Sequence, residues 1–64
     1  PNNEKNLYLP IDSYTQESLQ SLSAVSGIIE WYTNTTQGVV IIKYDDTLLQ
    51  EGEILSHLVH KEHS

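Results

Sequence analysis

Sixty-four residues make one small domain or a fragment of one. A domain of that size hides only about 60% of the surface its unfolded chain exposes, so a net stability of a few kcal/mol is expected. Ile, Leu and Val fill 18 of the 64 positions, which separates the chain from disordered sequences. The absence of Cys excludes disulfides, thiolate metal sites and a cysteine nucleophile. Three Lys and no Arg stand against nine Asp and Glu, and the resulting net charge of −6 argues against a nucleic-acid or anionic-membrane surface. No apolar run approaches the roughly 18–20 residues of a membrane span, and no signal-peptide layout is present. The chain opens on Pro1 without Met, so we expect a piece of a longer or processed protein.

Residues 1–6 are polar and read as a flexible arm. Leu7 to Ile11 alternates, with Leu7, Leu9 and Ile11 on one side and Tyr8 and Pro10 on the other, which predicts a short strand. Pro10 cannot donate to a ladder and belongs at an edge or a strand end. Helix-start chemistry follows. Ser13 with Gln16 fits a capping box, and Thr15 is a second candidate cap. Leu19, Leu22 and Val25 recur every three residues, and Gly27 is a natural stop.

Ile28 to Thr33 is β-branched and aromatic, hence a strand; Asn34 to Gly38 reads as a turn. Val39 to Tyr44 is apolar on both faces, which predicts a central strand. Strict alternation along 28–33 groups Ile29, Trp31 and Thr33 on one face and Ile28, Glu30 and Tyr32 on the other, without saying which is covered. Asp45, Asp46 and Thr47 end the central strand. Ile54, Leu55, Leu58 and Val59 then form one helical stripe, with Gly52 weakening its early part.

The order β-α-β-β-α predicts an α+β two-layer sandwich. A right-handed crossover through the first helix sets the spatial order 1-3-2, the ferredoxin-like arrangement with its fourth strand absent. One domain, 1–64, accounts for the whole chain.

The stretch from Leu19 to Leu58 resembles the heavy-metal-associated domain of copper chaperones and P-type metal ATPases. Its L-x-x-L-x-x-V helix runs into Ser26-Gly27-Ile28. A strand follows, then Gly38-Val39-Val40-Ile41-Ile42-Lys43-Tyr44-Asp45, then Glu53-Ile54-Leu55-x-x-Leu58. Members of that family that bind soft metals carry M-x-C-x-x-C between the first strand and first helix. Here the junction holds Asp12, Ser13, Tyr14 and Thr15, and none of these is a soft ligand. The resemblance therefore implies the fold, and a cytoplasmic place on a metal-transporting ATPase or another larger parent, without cysteine-based copper transfer.

Few residues offer other chemistry. His57, His60 and His63 are spaced by three, and on a continuous helix His57 and His60 would be neighbours able to share a divalent ion, with Glu53 one turn earlier. The bland alternative is a solvated face at the end of a helix. Asp12, Asp45 and Asp46 suggest a hard-cation pocket by composition, but antiparallel pairing sends Asp12 and Asp45 to opposite ends. A Ser-His-Asp set lacks a nucleophile elbow or oxyanion glycine loop. Asn34-Thr35-Thr36 matches a glycosylation sequon, relevant only to a secreted chain. Tyr8, Trp31, Tyr32 and Tyr44 are the candidate protein-binding residues, with Trp31 as core filler the competing view.

Three readings follow. The first is a non-enzymatic regulatory or docking domain without a cofactor, bound to the rest of its parent or to a cytosolic protein. The second is a divalent-metal module at the histidines. The third is an adaptor that forms homo-oligomers through the edge of its first strand.

Overall fold

Element by element, the apolar spacing finds its partners. A computed structural model describes residues 3–62. Strand β1 (Glu4–Pro10) leads through a 3₁₀ turn (Ile11–Ser13) into helix α1 (Gln16–Ser21), which tightens into a second 3₁₀ turn (Leu22–Ala24). Strands β2 (Ile28–Asn34) and β3 (Val39–Asp45) form a hairpin, and helix α2 (Glu51–His57) follows. The three strands make one antiparallel sheet in the order β1-β3-β2. The class is α+β, with both helices on one face of the sheet. Leu7, Val40, Ile42 and Tyr44 from that face join Leu19 and Leu22 of the first helical segment. Leu49, Ile54 and Leu58 complete the buried cluster from the second. β3 is central, as its two apolar faces predict.

The polar lead-in differs from the expected arm. Glu4, Lys5 and Asn6 belong to β1, paired with Asp45, Tyr44 and Lys43. The Asp46 amide donates to the Asn3 carbonyl at 2.9 Å, and Lys5 sits 3.7 Å from the Asp46 carboxylate. Backbone pairing to a central strand overrides weak local propensity here. Residues 1–2 lie outside the described part.

The first helix starts at Thr15 rather than Ser13. The Thr15 hydroxyl accepts the Ser18 amide at 3.2 Å, while Ser13 is held in the preceding 3₁₀ turn. Gly27 then turns the chain at φ +99°, and its carbonyl accepts the Asp45 amide at 2.9 Å, locking the start of β2 to the end of β3. At the hairpin tip the Asn34 side-chain carbonyl accepts the Gln37 amide at 3.2 Å.

Strand β2 contains a bulge. Ile28 pairs with Tyr44 and Glu30 with Lys43, so Ile29 has no partner and the alternation shifts by one. Ile28 and Trp31 consequently share the helix-covered face and both pack on the core. This corrects the strict alternation, which placed them on opposite faces.

Helix α2 is shorter than its apolar stripe. It ends at His57, and Leu58 is already extended. Beyond it the chain runs antiparallel to the residues before α1: the Thr15 amide donates to Val59 at 2.8 Å and the Lys61 amide to Ser13 at 2.9 Å. Leu58 remains buried, but Val59 is exposed. At the other end of the helix, Gly52 has open space where a Cβ would stand. Gly52→Ala should therefore stabilise the domain by about 0.5 kcal/mol, seen as a higher urea midpoint at unchanged slope.

Candidate functional site

The sheet has one covered face and one open face, and the strand register decides which side chains line the open one. Leu7, Ile42 and Trp31 form a row towards the helices; Tyr8, Ile41 and Tyr32 form the adjacent row on the other side. A further row on that open side holds Asn6, Lys43 and Glu30. No helix among the described residues covers these side chains, yet Ile41 is only 7% exposed while Tyr8 is 63% and Tyr32 50% exposed. Ile41 lies outside the main buried cluster. Its cover must come from its own sheet neighbours, the tyrosines across the strands and Val39 and Lys43 along its own. The result is an aliphatic floor between two accessible aromatic rings.

The charged part of this face is loose. Lys43 Nζ stands 3.8 Å from Glu30 Oε2, beyond hydrogen-bond length, and more than half of the Glu30 side chain is exposed. A pair of this kind contributes at most about 1 kcal/mol.

The four aromatic candidates divide between the faces. Tyr8 and Tyr32 share the open one. Tyr44 is 5% exposed, part of the core, and out of a partner's reach. Trp31 is half-buried on the covered face, and its indole N–H donates to Ser23 Oγ at 3.1 Å. Ile41 was missed by sequence reasoning because an isoleucine in an apolar strand reads as core. Its signal was the pair of tyrosines that the 1-3-2 order sets on either side of it.

The other candidates have structural roles. At the junction that would carry a soft-metal loop, Asp12 is exposed in the 3₁₀ turn, Ser13 accepts from the Lys61 backbone, and Thr15 caps α1. Tyr14 is 7% exposed, part of the core, and its ring meets that of His60 at a centroid distance of 4.7 Å.

His57 closes α2, whereas His60 lies in the extended segment, bridged to Tyr14. The shared helical face that the histidine metal site requires is therefore not formed between them. The Glu53 carboxylate accepts the Gln50 amide at 3.2 Å as part of the α2 N-terminus. His63 lies outside the described residues. Among the described residues, no group of three His, Asp or Glu comes together. Glu53 and His57 do line an open groove of about 510 Å³ beside Val25, Leu48 and Leu49.

Asp12 and Asp45 sit at opposite ends of the sheet, since Pro10 meets Val39 and Glu4 meets Asp45. Asp45 instead caps the turn after β3. Its Oδ1 accepts the Thr47 hydroxyl at 2.6 Å and the Thr47 amide at 2.9 Å. These bonds, the hydroxyl's first, hold its carboxyl below the ordinary value of 3.8. A depressed folded value contributes stability above pH 3.8 that is lost as pH falls through the lower folded value. Thr47→Val should raise the Asp45 titration midpoint towards 3.8 in a carboxyl-carbon NMR titration, and the loss of stability on acidification below pH 3.8 should become smaller.

Among the described residues, no helix is long and apolar enough to cross a membrane. Compared with models of protein families, curated proteins and solved structures, the chain matches none.

Proposed function

We propose that this is a non-enzymatic docking domain that binds a protein partner through its open sheet face. The observation that carries this reading is the row Tyr8–Ile41–Tyr32, in which two accessible rings flank an aliphatic floor on the face opposite the described helices. Aromatic side chains of this kind bring large contact area at low ordering cost, which is why they are enriched in interface centres. We read the architecture as ferredoxin-like without its fourth strand. The spacing from Leu19 to Leu58, together with that layout, supports descent from the heavy-metal-associated family. On this reading the domain is a cytosolic regulatory appendage of a metal-transporting P-type ATPase or a similar parent. At the junction where the family's metal loop would lie, Tyr14 serves the core and Thr15 caps the helix.

A photo-crosslinking residue placed at Tyr8 or Tyr32, in cells that make the protein, tests the reading. Exposed positions on the helical side, Glu17 and Ser56, serve as controls. Discrete adducts from the two sheet positions and none from the controls are expected. Equal labelling from all four, or none from the sheet, would sink it.

A further inference from the structure

We propose that the open face receives an arginine-bearing extended segment of the partner, with one guanidinium lying flat on Tyr32 and paired with Glu30. This rests on the docking reading and adds the chemistry of what docks. Glu30 and Tyr32 are two residues apart on one strand and point to the same face, which places their α-carbons about 7 Å apart along the strand. A planar guanidinium can cover the phenol face while its edge N–H groups reach a neighbouring carboxylate; a lysine ammonium offers neither the plane nor the fork.

Glu30 is able to accept such a partner. Its contact with Lys43, at 3.8 Å, is too long to occupy a carboxylate lone pair, and the side chain is well exposed. Tyr32 is half exposed, and Tyr8, on the far side of Ile41, extends the aromatic surface so that a segment crossing the strands meets both rings.

Charge selects the same occupant. The chain carries −6 and contains no Arg, so no guanidinium of its own competes for the place. A second copy brings the same net charge and no guanidinium, and a nucleic acid would be repelled. Long-range attraction favours a cationic segment, and the stacked ring then discriminates between the two kinds of cation.

The test is NMR titration of the isotope-labelled chain with a capped Gly-Arg-Gly-Arg-Gly peptide. The same peptide with lysine or with citrulline, which keeps the planar shape and loses the charge, provides the comparison. The arginine peptide should move the signals of Tyr32, Ile41 and Tyr8 and leave the Trp31 indole N–H, on the opposite face, in place. Affinity should fall about tenfold with citrulline and about threefold with lysine. Glu30→Gln and Tyr32→Leu should each weaken arginine binding about three- to tenfold without changing the urea midpoint by more than a small amount.

Equal binding of the citrulline peptide overturns the proposal, as do shifts centred on Glu51 and Glu53 or no shift at millimolar peptide. A proline-rich peptide or an oligosaccharide that moves the same signals more strongly removes the guanidinium assignment and leaves the docking reading standing. Failure of the sheet-face crosslinks removes both.

Discussion

Gly27→Ala should leave the domain largely unfolded at 25 °C. The residue sits at φ +99°, outside the regions open to an L side chain, and a Cβ there would meet the Leu49 Cβ at 2.8 Å. The clash is with the root of a buried side chain, so rotation cannot relieve it; the Leu48–Leu49 segment or the start of β2 must shift. Shifting either strains the bond from the Asp45 amide to the Gly27 carbonyl. Backbone strain and overpacking together cost about 3 kcal/mol, which is comparable with the whole stability expected of a chain this small. Gly38→Ala is the control. Gly38 also has a positive φ, +70°, but nothing lies within 4 Å of a Cβ there, so its cost should be about 1 kcal/mol. Urea titration followed by the fluorescence of the single Trp should show a shifted transition for Gly38→Ala and, for Gly27→Ala, a signal close to the unfolded one already without urea. Equal costs at the two glycines would show that the Leu49 contact is not limiting.

The second large effect separates the two faces of the sheet. Ile42→Ala removes a fully buried side chain at the centre of the core, between Leu7 and Trp31 on the neighbouring strands. Its cost should be about 3–4 kcal/mol, because the helices and both flanking strands hold the cavity open. Ile41→Ala, one residue earlier and almost as buried, should cost only about 1–2 kcal/mol, since exposed tyrosine rings can settle into the space. The sign of the difference is the prediction: paired chemical denaturation of the two variants should show Ile42→Ala the less stable. The Ile41 variant should keep its fold while losing partner adducts at Tyr8 and Tyr32, because its floor is gone.

Much of the fold was legible because hydrophobic spacing and turn chemistry agree locally. Val39 to Tyr44 is apolar on both faces, and it is the middle strand. Ile54 marks the buried side of α2, and Gly27 marks the exit from the first helical segment. The errors have a common origin in backbone bonds between distant residues. Glu4 to Asn6 are polar by composition, yet β3 recruits them into β1. Leu58 and Val59 continue a helical pattern, yet bonding to Ser13 and Thr15 draws the backbone straight before the pattern ends.

That early helix end matters for the candidate site. A three-residue spacing of histidines has meaning only on a continuous helix, and His60 lies past the break. The open face suffered from the opposite difficulty. Tyr8, Trp31, Tyr32 and Tyr44 are all plausible interface residues by type, and only the phase of β2 and β3 sorts them. Composition holds no record of that phase. The Ile29 bulge changes it within a strand whose residues all favour the same extended backbone.

The unpaired position in β2 bears on how this chain tolerates changes in length. Because Ile29 has no partner across the ladder, a deletion there restores a regular strand in which Ile28, Trp31 and Thr33 still point inward and Glu30 and Tyr32 outward. A one-residue deletion between Trp31 and Thr33 instead sends side chains to the wrong side of the sheet. Related chains that are one residue shorter should therefore carry their gap at that site.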